Sequence, residues 1–395
     1  MASRANDSAV QNLGIAEGAN RTPNVSFVVL CYKLAHLLSE CVNSILSQTY
    51  GDFEVLIMDD CSPDNTDEVA KSFRDPRVKY VRNDKNLGFL RNENEGVRLS
   101  RGKYVWIISA DDYLRKDYIL QRYVELMEKH SNVGFSFCSG VSVKGGRETG
   151  VLEYSRYRRQ DGIVGGHAFL RKLLHRNFVL APSVMARREC YEKISLYPIE
   201  LAWADLKIDM VWAADWYLWC LFALSFDVAY FAEPMVCYRE HDLSISSNLT
   251  QETLTLCVTA DIAVPWSIRE KAIERGLKKL SKDCLIAVAL EYARHGESKR
   301  YRGAMSYMNV TEFEESLCRG TQSEKERNWI RARFYSARGD RLFNEGNLSA
   351  ARNSYLESLR RDPLLMKTYA KLVCSLGKPG IYLRALLRSG RRLFN

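Results

Sequence analysis

WIISADDYL, residues 106–114, carries an apolar run straight into two adjacent carboxylates, Asp111 and Asp112. Neighbouring like charges repel, and an apolar strand does nothing to relieve them. A second pair repeats the pattern, because FEVLIM (53–58) leads into Asp59-Asp60. An earlier run, VSFVVL (25–30), leads into Cys31-Tyr32-Lys33. Between these runs lie helical patterns. LLSECVNSILSQ (37–48) spaces Leu38, Val42, Ile45 and Leu46 as a helix does, Thr66 to Phe73 predicts a short helix, and Asn92 to Ser100 another. VKYVR (78–82) and KYVWII (103–108) predict two further strands. Strand and helix alternate, so the expectation is an α/β fold with a mostly parallel sheet and helices on both faces. In such a sheet the strand ends open onto one edge, where ligands bind. Two acidic pairs, a tyrosine and a lysine are then expected at one crevice. Either acidic segment alone reads equally well as a solvated turn; both at equivalent strand ends point to a site in which a cation or hydrogen-bond donors offset the charge.

The rest of the chain narrows the function. No GxGxxG follows the first strand and no GxxxxGK[ST] occurs, which argues against dehydrogenase and P-loop chemistry. A nucleotide would have to be handled by carboxylates, through base N–H and ribose hydroxyls, and by a divalent cation on a diphosphate. Eleven cysteines without a CxxC pair read as buried thiols of a reducing compartment, not as a zinc site or disulfide framework. Residues 1–23 read as a mobile tail without the character of a signal peptide. VWAADWYLWCLFALSFDVAYFA (211–232) is interrupted by Asp215 and Asp227, too closely for a bilayer span, and predicts a buried helix leading into a strand. Of the formal charge of +9, seven positive charges and no acid lie between Pro363 and Asn395. This localisation implies an anionic partner for the tail and no nucleic-acid partner.

These segments resemble family 2 glycosyltransferases of the GT-A fold. The likeness runs from VSFVVLCYKLAHLLSECVNSILSQTYGDFEVLIMDDCSPDNTDEV through NDKNLGFLRNENEGVRLSRGKYVWIISADDYL, NFVLAPSVMARRECYEKI and AADWYLWCLFAL to CYREHDLSIS, in the family's order, over roughly residues 22–250. It implies an inverting transfer of a sugar from a UDP- or dTDP-linked donor to a hydroxyl of a glycan or glycolipid, in envelope polysaccharide synthesis at a cytoplasmic membrane face. By the resemblance, Asp60 accepts hydrogen bonds from base or ribose, and Tyr32 lies close to the base. Asn86, Gly88 and Arg91 line the nucleotide side. Asp111 and Asp112 bind a divalent cation, Mn²⁺ or Mg²⁺, which His241 approaches, and Asp215 is the catalytic base. Asp205 and Asp209 are rivals for the base, and a helix-capping role for Asp215 is the bland reading. Two departures stand out. Ser109 replaces an acid often found there, and Leu221 replaces a basic residue within the late motif. Ser109 keeps open a catalytically silent member that binds a partner. A sugar nucleotidyltransferase is a third possibility, but CYKLAHLL lacks its Gly-rich basic loop.

After about residue 251 the pattern turns helical, so the reading is a glycosyltransferase domain at 24–250 and a helical domain at 251–395. Gly339, Ala351, Tyr355 and Pro363 fall at the offsets of one tetratricopeptide repeat over 332–365, which implies a single helical hairpin packed on its neighbours. In the tail at 380–395, Arg384, Arg388, Arg391 and Arg392 fall on one helical face. This predicts either a basic amphipathic helix at an anionic membrane surface or a helix docked on the hairpin.

Overall fold

β1 (Val25–Cys31) and β2 (Phe53–Asp59) are buried at every residue, as strands covered on both faces must be. The computed structural model to which they belong describes residues 22–194, 196–203, 206–241, 250–295 and 323–376. Asp205, the Ser-x-Ser at 244–246 and the basic tail at 380–395 lie outside the described residues. β1 pairs in parallel with β2 on one side and with β4 (Tyr104–Ser109) on the other, and β2 pairs in parallel with β3 (Val78–Arg82). The crossovers are α1 (Ala35–Leu46), α2 (Thr66–Ser72) and α3 (Phe89–Leu99). Each predicted strand and helix of this half is found, within a few residues at its ends.

Side chains along β1 alternate between two cores. Phe27, Val29 and Cys31 join the core of α1 and of α4 (Ile119–Lys129), while Val28 and Leu30 join that of α3. α3 lies very close to β1: a Cβ at Gly96 would stand 2.3 Å from Val28 Cγ1. Beyond β4 the sheet becomes mixed. β5 (Tyr113–Leu114) follows the acidic turn, and β6 (Val133–Lys144) is flanked by β7 (Arg147–Val151). β8 (Gly162–Val164), α5 (Gly166–Leu173), β9 (Met185–Arg187), α6 (Arg188–Ile194) and the small hairpin of β10 (Glu200–Trp203) and β11 (Leu206–Asp209) come next. The apolar stretch at 211–232 is, as expected, a buried helix, α7 (Ala214–Ala223), running into β12 (Asp227–Glu240). The strand order is β3-β2-β1-β4-β9-β6-β12-β5, with β6 and β12 parallel.

The helical region shares this core. α8 (Gln251–Glu274, with Pro265 inside it) and α9 (Lys278–His295) bury Ile262, Val264, Ile268, Cys284 and Val288 together with α7. α10 (Glu324–Asn344) begins well before residue 332. Its start is fixed by Ser323, whose Oγ accepts from Glu326 N at 3.2 Å. α10 and α11 (Leu348–Arg361) form a hairpin through two of the signature positions: a Cβ at Gly339 would stand 2.4 Å from the Tyr355 ring. α12 (Met366–Cys374) follows. Ile330 and Phe334 of α10 join the main core, so the hairpin is packed on its neighbours. Its tetratricopeptide likeness rests on the sequence offsets. Among the described residues no helix is long and apolar enough to cross a membrane.

Candidate active site

β1 is the strand from which the order runs both ways, so the carboxyl ends of β1, β2 and β4 flank a crevice at the reversal point. Two cavities occupy it. An outer one of about 400 Å³ is lined by Tyr32, Lys33, Asp60, Asn86, Asp111 and His241, among others. An inner one of about 300 Å³ is lined by Glu93, Asp111, Asp112, Asp215 and Trp219, among others. Leu30, Phe89, Ser109 and Asp111 belong to both linings. Of the residues expected on the nucleotide side, Arg91 is not brought in. It is exposed on α3 and lines neither cavity, because the buried face of that helix is taken by Leu90, Glu93, Asn94 and Val97. Lys33 supplies a cation instead. It holds a left-handed backbone with φ of 59°, unusual for a residue with a Cβ, and its N donates to Ser62 Oγ at 3.1 Å.

The β2 acids are fully engaged. Asp59 accepts from Ser62 N at 2.8 Å, from Tyr80 Oη at 2.6 Å and from Arg82 Nη1. Asp60 accepts from Asn83 Nδ2 at 2.9 Å, Leu87 N at 2.7 Å and Gly88 N at 2.9 Å. Asp60 therefore fixes the loop that enters α3, whose N-cap Gly88 has φ of 82°. Asn86 is tied into the same loop, its Oδ1 accepting from Gly88 N at 3.0 Å.

The β4 acids are held from β12. Arg239 N donates to Asp112 Oδ1 at 2.9 Å, Arg239 Nε donates to the Asp111 carbonyl at 2.9 Å, and Arg239 Nη2 reaches Glu40 Oε2 on α1 at 2.6 Å. Asp112 is buried, and burial together with the charge of Asp111 pushes its pKa well above the usual carboxylate range. Asp111 differs: its Oδ2 lies 2.9 Å from His241 Nε2, and its buried Oδ1 has no hydrogen-bond partner. The expected three-ligand set of Asp111, Asp112 and His241 is not assembled. Among the described residues no group of three or more His, Cys, Asp or Glu side chains could hold a metal ion. Asp112, once buried, needs a donor and takes the Arg239 amide. Asp111 and His241 remain, and the pair fits a hard divalent cation that draws its other ligands from phosphates and water.

Asp215 stands in the first turn of α7, two residues past its N-cap Ala213. Asn177 Nδ2 donates to its Oδ2 at 3.0 Å and Trp216 N to its Oδ1 at 2.6 Å. Burial raises its pKa, and these two donors partly counter the effect. The rival Asp209 lines neither cavity, and its Oδ1 caps the next turn by accepting from Val211 N at 3.0 Å. Glu93 and Asn177 were not singled out from the sequence. A signal for Glu93 was present: it lies three residues after Leu90 and four before Val97, on the apolar face of α3.

Known proteins agree with this architecture. Residues 26–185 match Glycosyl transferase family 2. Glycosyltransferase GlyG of Streptococcus pneumoniae serotype 4 is 33% identical over 111 residues, which are 28% of this chain and 37% of that protein. Succinoglycan biosynthesis protein ExoO of Rhizobium meliloti is 34% identical over 106 residues, 27% of this chain and 30% of its own length. The chain thus spans about a third of the length of these relatives. The crystal structure of S. aureus TarS 1–349 in complex with UDP-GlcNAc superposes with a TM-score of 0.52 at 18% identity, covering 89% of each chain. The fold is of the GT-A type seen in that structure, and residues 26–185 are similar to glycosyl transferase family 2.

Proposed function

We propose that the chain is an inverting glycosyltransferase that moves a sugar from a UDP- or dTDP-linked donor to a hydroxyl of a glycan or lipid-linked acceptor in envelope polysaccharide synthesis. One observation carries the reading: two cavities meet at Asp111, and the inner one holds a buried carboxylate, Asp215. The outer cavity would take the nucleoside, with Tyr32 beside the base. The diphosphate would lie at Asp111, His241 and Lys33, and the sugar would point inward. A divalent cation, Mn²⁺ or Mg²⁺, would be held by Asp111 and His241, and when bound it would offset the charge gathering on the leaving diphosphate. The acceptor oxygen attacks the anomeric carbon as the bond to the diphosphate breaks, its electron pair leaving with the phosphate. The hydroxyl proton passes to Asp215, which lies across the sugar from the leaving group, so the configuration inverts. The succinoglycan relative supports a polysaccharide product.

The experiment is UDP, TDP or GDP release from a panel of nucleotide sugars with Mn²⁺ or Mg²⁺ and candidate acceptors. Replacing Asp215 with Asn should lower transfer at least ~10²-fold while donor binding persists. Because the base must be ionised and its pKa is raised, wild-type transfer should fall as pH drops through that raised value, above the usual carboxylate range. Near-wild-type turnover by Asp215→Asn would remove the base assignment and turn attention to Asp205. A chain that binds and cleaves no nucleotide sugar would remove the function.

A further inference from the structure

The inner cavity gathers three buried polar atoms that lack hydrogen-bond partners: Asp111 Oδ1, Glu93 Oε2 and Trp219 Nε1. Asp111 has its part in the site already described. Glu93 and Trp219 do not, and a buried polar group left unpaired forfeits the hydrogen bonds it made to water in the unfolded chain. Their orientation is fixed. Glu93 is 4% exposed on α3 and lines the inner cavity beside Tyr197. Tyr197 is in turn pinned to the same helix, since Asn94 Nδ2 donates to its carbonyl at 3.1 Å and its N donates to Asn94 Oδ1 at 2.9 Å. Trp219 is locked by stacking on Phe135, ring centroids 5.6 Å apart.

The chemistry of the two groups defines what they can bind. Burial, with Asp215 adding to it, pushes Glu93 up to about 8, and the other titratable groups around it are the buried tyrosines Tyr191 and Tyr197. At neutral pH Glu93 is therefore a carboxylic acid, one donor and one acceptor, while the indole N–H is a donor alone. A cation gains little from a neutral acid, and an apolar group would leave both atoms unsatisfied. Hydroxyl groups both donate and accept, and they satisfy both. The cavity is continuous with the nucleotide cavity through Asp111 and also contains Asp215, so its occupant is the group being transferred. We propose that Glu93 and Trp219 hydrogen-bond hydroxyls of the transferred sugar and determine which sugar the site accepts. This rests on the glycosyltransferase reading. A site built to hydrogen-bond a hydroxyl rejects an analogue that misplaces it far more strongly than an apolar pocket can.

The test compares full-length wild type with Glu93→Leu, Glu93→Gln and Trp219→Phe. Donor hydrolysis is measured with UDP-glucose, UDP-galactose, UDP-GlcNAc, UDP-GalNAc and GDP-mannose, and the affinity for the matching free nucleoside diphosphate is measured alongside. Glu93→Leu should lose at least ~10-fold in kcat/KM for the preferred sugar and bring its ratio to the next sugar within ~3-fold, with nucleoside diphosphate affinity changed less than ~2-fold. Glu93→Gln, which keeps a donor and an acceptor, should retain an intermediate ratio. Trp219→Phe, which loses the N–H together with part of the ring, should narrow the ratio as well. If Glu93→Leu does not fold, the last two variants carry the test. An unchanged sugar ratio overturns the proposal, as does a nucleoside diphosphate affinity that falls in parallel with kcat/KM. A wild type that neither binds nor cleaves any of the donors overturns the glycosyltransferase reading itself, a result distinct from both.

Discussion

Asp59-Asp60 and Asp111-Asp112 are the same dipeptide at the ends of the two strands that flank β1 in the sheet, yet they do different work. The first pair is saturated: six donors from the turn at Ser62, the β3 end and the loop into α3 converge on its four oxygens. The second pair is divided. Asp112 is buried and takes the Arg239 amide, while Asp111 keeps one oxygen at His241 and leaves the other unpartnered between the two cavities. Saturation by fixed donors builds a wall, and an open buried valence marks the place a ligand must fill. The comparison predicts that the first pair acts chiefly through stability and loop position, and the second chiefly through chemistry.

The largest effect should come from Asp111. Asp111→Ala removes no hydrogen bond from its Oδ1 and should lower the melting temperature little. Transfer should fall at least ~10²-fold, and EDTA should abolish it in the wild type. Wild-type activity that is full in EDTA would break the comparison at its central point, leaving Lys33 to offset the diphosphate charge.

Much of this division was hidden in the sequence, for a physical reason. The strands, crossovers and their shared edge were legible because continuous β-branched and aromatic runs and period-3.6 patterns report burial directly, as in Val25–Cys31 and Ala35–Leu46. The convergence of Tyr32, Lys33, Asp60 and Asp111 on one cavity followed from that topology, while Asn86 and His241 were expected there from the family resemblance. Which carboxylate is already paired did not follow, because the donors to Asp60 are mostly backbone amides at 87 and 88. Side-chain types cannot report those. Arg91 misled for a related reason: a basic residue beside a binding segment attracts a phosphate role, but helical phase turns it outward. Glu93 was passed over because a charged residue on an apolar face is normally avoided in cores, and that is why finding one there is informative.

A smaller effect is expected at Asp60. Asp60→Asn must turn an NH₂ toward Asn83 Nδ2 and the Leu87 amide, or toward the Gly88 amide, all of them donors. One donor is left facing another, at a cost of about 1–3 kcal/mol. Denaturant unfolding should show this as a lower midpoint at an unchanged slope. The loss in transfer should be recoverable at high donor concentration, appearing in KM more than in kcat. An Asp60→Asn protein of wild-type stability with a severe loss in kcat would show that the first pair also meets the reacting groups.

The smallest effect concerns the clamp. Arg239 joins three elements at the acidic turn, through its amide to Asp112, its Nε to the Asp111 carbonyl and its Nη2 to Glu40 on α1. The amide survives any side-chain change, so Asp112 keeps its donor in every variant. Arg239→Lys retains the charge but loses the planar fork that reaches two acceptors at once. It should therefore lose about one hydrogen bond, worth about 0.5–1.5 kcal/mol. Transfer should fall only a fewfold, because Arg239 acts by holding Asp111 in place and does not touch the donor. Glu40→Gln, which keeps an acceptor for Nη2, should do less still. The discriminating readout is the metal dependence of transfer. If Arg239 positions Asp111, Arg239→Lys should raise the Mn²⁺ concentration needed for half-maximal rate while leaving the rate at saturating Mn²⁺ nearly unchanged. If the saturating rate instead collapses as far as in Asp111→Ala, the guanidinium itself meets the diphosphate. The acidic turn would then be offset by the ligand's own partner, and not by a clamp within the fold.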